Sequence, residues 1–95
     1  MAIRVLIERE IEPGRQAELS QMLVKLRSKA MNAHGYISGE TLRSIDNPNK
    51  FLVISTWNSL EEWKAWDNHP DRKSCEAELG EILRLPEKTS IYIYL

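Results

Sequence analysis

Ile3-Arg4-Val5-Leu6-Ile7-Glu8-Arg9 is short, rich in β-branched residues and bounded by Pro13-Gly14, which predicts a first strand. From Pro13 the apolar period lengthens. Leu19, Met22, Leu23, Leu26 and Ala30 recur at i, i+3, i+4, i+7 and i+11, one face of a long helix. Pro13 suits its first turn, and Gly35 suits its C-terminal cap. Tyr36 through Ile45 and Phe51 through Trp57 read as strands joined by Asp46-Asn47-Pro48-Asn49, turn chemistry that predicts an antiparallel hairpin. Gly39 inside the first of these marks a bulge or a close backbone approach. Ser59-Leu60-Glu61-Glu62 is a capping box, the Ser59 hydroxyl serving the amide of Glu62 while Glu62 reaches back. The helix it opens is short, because Pro70 pushes His69 out of helical geometry. Pro70 then begins another helix with Cys75, Leu79, Ile82 and Leu83 as its apolar stripe, ended by Leu85-Pro86. Thr89 through Leu95 reads as a last strand.

The order β-α-β-β-α(α)-β is that of an α+β, ferredoxin-like split βαβ fold: one domain over residues 1–95, with helices on one face of a four-stranded antiparallel sheet. The other face is too apolar for solvent. Leu52 and Ile54 point opposite to Phe51 and Val53, and Tyr92 and Tyr94 opposite to Ile91 and Ile93. The chain has no helices left to cover it, so a second copy packed sheet to sheet, with isologous contacts, is the expected partner.

Composition agrees with that expectation. A chain of 95 residues buries only roughly 60–65 % of the surface its unfolded form exposes. Cys75 is the single cysteine, which rules out an internal disulfide or a thiolate metal cluster and leaves association as the supplement. Thirteen basic and fourteen acidic residues nearly cancel without long blocks, so no nucleic-acid partner is expected. Met1 through Val5 lacks the basic and apolar regions of a signal peptide, and no apolar run approaches a membrane span; a soluble cytoplasmic protein is the expectation.

The segment from Thr56 to Pro70 holds all three tryptophans and one of the two histidines. Together with Pro13-Gly14 before a long helix and His34-Gly35-Tyr36-Ile37-Ser38-Gly39, the run Trp57-Asn58-Ser59, Glu62-Trp63 and Trp66 through Pro70 resembles the antibiotic biosynthesis monooxygenase (ABM) domain family. The resemblance covers nearly the whole chain. It implies a dimeric α/β barrel of ferredoxin-like subunits with a cleft between helices and sheet. Some members are oxygenases acting on aromatic polyketides or quinols without metal or organic cofactor; others degrade haem, isomerise small phosphorylated ketones or have no known activity. Fold therefore leaves the reaction open. The haem-degrading branch uses an asparagine, a tryptophan and an iron-ligating histidine, and here Ile7, Trp66 and Glu76 fall at those positions. Two of the three are missing, and a carboxylate is a poor substitute for proximal imidazole, so haem degradation is disfavoured.

The individual residues carry weaker signals. Periodicity alone places Trp57, Trp63 and Trp66 in the core, with the dimer seam also open to Trp57; the resemblance makes Trp66 a pocket wall. His69 reads either as a general base or as a surface residue in an exposed connection. His34 beside a helix end is structural, and Asp67 and Asn68 either satisfy helix ends or border the cleft. Arg72 reads either as a solvated partner of Asp71 or as the holder of an enolate or carboxylate. Tyr36 points into the cleft, the core or the interface. The resulting expectation is a cofactor-independent monooxygenase, with dioxygen as co-substrate, acting on a small planar phenol, quinol or polyketide-like molecule. Trp66, Asn68 and Arg72 would bind the substrate, and His69 and Tyr36 would assist proton transfer. A non-catalytic small-ligand-binding dimer and a small-ketone isomerase are the alternatives.

Overall fold

In the computed structural model, which describes residues 1–95, β1 spans Ile3–Glu10, α1 Gln16–Ala30, β2 Tyr36–Arg43, β3 Lys50–Trp57, α2 Leu60–Asp67, α3 Pro70–Gly80 and β4 Lys88–Ile93. The four strands form one antiparallel sheet in the order β2-β3-β1-β4, so the fold is ferredoxin-like. Central β1 alternates strictly: Ile3, Val5, Ile7 and Arg9 are buried on the helix side, and the residues between them are half-buried. Cross-strand register carries that face into Trp57, Ser55, Val53 and Phe51 of β3. The core fills the space between this face and the helices with Leu19 and Leu26 of α1, Trp63 and Trp66 of α2, and Cys75 and Leu79 of α3. No helix is long and apolar enough to cross a membrane.

Two helices end earlier than the sequence suggests. α1 stops at Ala30 with Met31 as its C-cap, and not at Gly35. Asn32 and Ala33 donate to the carbonyls of Lys29 and Ala30, tightening the chain into turns, and the Asn32 amide also takes the Ser28 carbonyl. Gly35 instead turns the chain into β2 at φ +86, and its carbonyl accepts the amide of Asn58 at 2.7 Å. α3 stops at Gly80, so Ile82 and Leu83 are not part of its stripe. The chain there runs back along the end of β1: Glu12 donates to the Ile82 carbonyl and Arg84 to that of Glu10. Ile82 lies in the turn that follows α3, its amide donating to the Leu79 carbonyl at 3.0 Å, and is buried there and not on a helical face.

The capping box at Ser59 is half as expected. Its hydroxyl accepts the Glu62 amide at 3.2 Å, but the Glu62 carboxylate takes the Ser59 hydroxyl and the Asn58 side-chain amide and leaves the backbone of Ser59 alone. In β2 the register slips between Tyr36 and Ser38, a bulge just before Gly39. A Cβ on Gly39 would lie 2.6 Å from the Tyr36 hydroxyl oxygen. The glycine makes room for the phenol, which is the close approach its position in the strand predicts.

Candidate functional site

Between α1, the α2–α3 junction and the inner face of the sheet lies a cavity that admits water-sized molecules in about 60 Å³, with about 520 Å³ of empty space counted out to its mouth. The first figure is the one to set against small-molecule sites of roughly 300–1,000 Å³, and it describes a narrow cavity that opens to solvent at its mouth. One wall is aromatic. The Tyr36 ring meets Trp57 edge-on at 5.4 Å, and Trp57 meets Trp63 at 5.5 Å. Trp57 Nε1 donates to Ser55 Oγ at 3.0 Å, so the indole is anchored from its own strand. Trp66, buried one helical turn beyond Trp63, adds a second flat face to the lining.

Three guanidiniums also line the cavity, from Arg9, Arg27 and Arg72. Arg72 is buried, stacked on the Trp63 ring with its Cζ 5.1 Å from the centroid. Its Nε donates to Asp67 at 2.9 Å, and Nη2 lies 3.1 Å from Glu76 and 3.5 Å from Glu87. The solvated pair with Asp71 does not form. The break at Pro70 folds the end of α2 beside the first turn of α3 and brings Asp67 to Arg72 instead. Arg27 reaches from α1 to β2, donating to the Gly39 carbonyl at 2.9 Å.

Arg9 is just as deeply buried but poorly matched. Its Nε donates to Glu87 at 2.9 Å, while Nη1 and Nη2 are sealed from solvent with no acceptor. Burial pushes its pKa down, opposed chiefly by the charge of Glu87, with nearby Arg72 adding to the lowering. An arginine remains protonated through such a shift at neutral pH, so a cation with free donors stands in the cavity wall. The acidic partners of the two arginines lie toward the surface, and Glu40, which borders the cavity from β2, has its carboxylate 4.0 Å from Arg4 on the opposite face of the sheet. The inner surface is therefore aromatic and positively biased.

Of the residues expected from the sequence, Tyr36, Trp66 and Arg72 come together here, and Asn68 and His69 do not. His69 is extended (φ −68, ψ 139) and caps α3, its Nδ1 accepting the Asp71 amide at 3.0 Å. Its ring packs 5.6 Å from Trp66, with half of the side chain exposed. Asn68 caps the other helix end, giving its amide to the Lys64 carbonyl at 2.8 Å. Both residues are consumed by the junction that Pro70 creates. Arg9 escaped the sequence reading, although a signal was there: it continues the inward series Ile3, Val5, Ile7, where a charge has no reason to sit unless it is used. No group of three or more histidine, cysteine, aspartate or glutamate side chains is placed to hold a metal.

The family model for antibiotic biosynthesis monooxygenases matches residues 2–78. Protein SchA of Streptomyces halstedii is 32% identical over 66 residues, which is 70% of this chain and 17% of that protein. The chain spans about a fifth of the length of the curated relatives it matches, 17% and 21% for two Streptomyces proteins. Among solved structures, a conserved protein from Methanosarcina mazei superposes with a TM-score of 0.93 at 19% identity, covering 100% of this chain and 94% of the other. SnoaB, a cofactor-independent oxygenase from Streptomyces nogalater, superposes with a TM-score of 0.89 at 13% identity, covering 99% of this chain and 93% of its own. At these identities the two superpositions speak to the fold.

Proposed function

The chain belongs to the antibiotic biosynthesis monooxygenase family, and from that premise we propose that it is a cofactor-independent monooxygenase of a small planar phenol, quinol or polyketide-like substrate. The observation that carries the reading is the cavity itself: flat aromatic walls at Trp57, Trp63 and Trp66 beside buried guanidiniums. Such a site favours ionisation of a bound phenol or enol, because nearby positive charge stabilises the anion in a dry surrounding. The electron-rich anion is the reductant for dioxygen. For a ring methylene activated by a neighbouring carbonyl, CH2 + O2 gives C=O + H2O: one oxygen atom enters the substrate, and the other leaves as water with the two hydrogens the carbon has lost.

The protein's share is to bind the ring against Trp66, exclude water and hold the anion. Tyr36 brings a hydroxyl to the cavity wall and takes the proton-transfer role as a relay, giving up its own proton toward solvent as its oxygen accepts the substrate's. His69 drops out of that role because its ring lies outside the cavity and its Nδ1 is already engaged. Haem does not fit the donor set: Glu76 occupies the position of the iron-ligating histidine and is committed to Arg72 at 3.1 Å. The description of SnoaB as a cofactor-independent oxygenase supports the same reading.

Oxygen uptake with a panel of hydroquinones and anthrones is the direct test. Turnover of at least one panel member is expected, falling at least tenfold in Trp66→Ala. No uptake across the panel would leave the non-catalytic ligand-binding module as the better account.

The subunits are further proposed to pair through the outer sheet face. Leu6, Leu52 and Ile54 are half-buried there, and Leu42 and Tyr92 are 46% and 57% exposed, a contiguous apolar strip across all four strands.

A further inference from the structure

The two terminal nitrogens of Arg9 are the unexplained feature of the cavity. A buried hydrogen-bond donor without an acceptor is destabilising, and more so when it carries charge. Arg9 side-chain exposure is 1%, so bulk water does not relieve that cost. Its neighbour Arg72 shows that the fold is able to satisfy a guanidinium at this depth, since Asp67, Glu76 and Glu87 converge on it. Glu87 spans both arginines, with Oε2 on Arg9 Nε and Oε1 toward Arg72 Nη2. Glu87 thereby fixes the Arg9 fork through its inner nitrogen and leaves the outer pair free. Ile7, Val53 and Trp66 share the cavity lining with Arg9, and the charges of Glu87, Arg72 and Glu76 lie near its guanidinium.

Deepening the monooxygenase reading, on which its catalytic meaning rests, we propose that Arg9 is the anion-recognising residue of this cavity. Its ligand is a planar aromatic carrying a delocalised oxyanion, either a carboxylate or an enol ionised in conjugation with a carbonyl. Both present two near-coplanar oxygens, which match the parallel donors of a guanidinium fork, as a single ammonium does not. A simple monophenolate offers one oxygen and fits the fork less well. The aromatic wall takes the ring while Arg9 takes its charged edge.

The test is anaerobic binding to the intact chain, followed by the three tryptophan indole cross-peaks and the Arg9 Nε–H cross-peak in ¹⁵N-correlated NMR. The carboxylate arm compares 1-naphthoate with 1-naphthalenemethanol; the enolate arm compares 2-hydroxy-1,4-naphthoquinone, ionised at neutral pH, with its 2-methoxy ether. In at least one arm the anion is expected to bind tenfold or more tightly than its neutral counterpart and to move the Arg9 Nε–H peak. Arg9→Gln should abolish the preference and Arg9→Lys should retain part of it. The arm that shows the preference identifies the source of the oxyanion. Equal binding of anion and neutral analogue in both arms, or a preference that survives Arg9→Gln, overturns the proposal. If Arg9→Gln does not fold, the wild-type Arg9 peak decides: failure to shift with any of the anions overturns it equally. Because oxygen is absent, anion selectivity without later oxygen uptake counts against the monooxygenase reading alone, and uptake without anion selectivity counts against Arg9 alone.

Discussion

Arg9 and Arg72 differ in partners and not in depth, and that difference separates a structural arginine from a candidate binding one. Arg72 has carboxylates on two sides and an indole beneath it, so its charge is spent within the fold. Arg9 has a single carboxylate, on Nε. Gly39 shows the same economy at the opposite wall, where the absence of a side chain admits the Tyr36 phenol. Gly39→Ala is expected to displace that phenol, because the obstructing atom is the end of a side chain and not backbone. Destabilisation should be modest, about 1 kcal/mol by urea denaturation, while the tryptophan emission and the affinity for cavity ligands change. Native-like emission and affinity in Gly39→Ala would show that Tyr36 does not depend on the glycine. The glycine's purpose was readable from its place in a strand; the identity of the group that fills the space was not, because Tyr36 comes before the bulge and meets Gly39 only through it.

Among the elements, the α2–α3 junction contributes most to the site. Ser59 starts α2, Pro70 breaks the helical run, and the eight-residue helix between them sets Trp63 and Trp66 on the inner side. Ser59→Ala should cost about 1 kcal/mol, the usual value of an N-cap, read as a lowered urea midpoint, and should free Glu62 from its hydroxyl contact. A midpoint unchanged from wild type would mean that tertiary packing alone holds the start of α2. Caps and proline breaks are local chemistry, which is why this junction was legible in the sequence. The ends of α1 and α3 were not. The cap expected at Gly35 and the apolar pair Ile82-Leu83 both point past the last helical turn, and only the turn at Asn32-Ala33 and the hydrogen bonds of Ile82 to Glu12 and of Arg84 to the end of β1 decide where the helices stop.

For the whole molecule, the sheet has one face under helices and one without cover. β4 is an edge strand beyond the reach of the helices, so even its inward positions Ile91 and Ile93 stay exposed, at 42% and 65%. The proposed homodimer would cover the outer face, where a central lysine should be intolerable. Leu52→Lys is expected to convert a dimer into a monomer in sedimentation at micromolar concentration, with far-UV circular dichroism retained. A wild-type chain that sediments as a monomer, or a Leu52→Lys variant that stays dimeric, would refute pairing through this face.

Period, caps and turn residues determined the element order, the antiparallel hairpin and the ferredoxin-like topology, because each depends on neighbours within a few positions in the chain. Those local signals left Tyr36 and Arg72 with several readings open, and only resemblance to a family made Trp66 a pocket wall. Tertiary structure alone decided which charges are matched. Asp67, Glu76 and Glu87 reach Arg72 from three separate segments, and what remains for Arg9 is one carboxylate contributed from the far end of the chain. Charge balance in a cavity is a sum over distant segments, and no window of the sequence contains that sum.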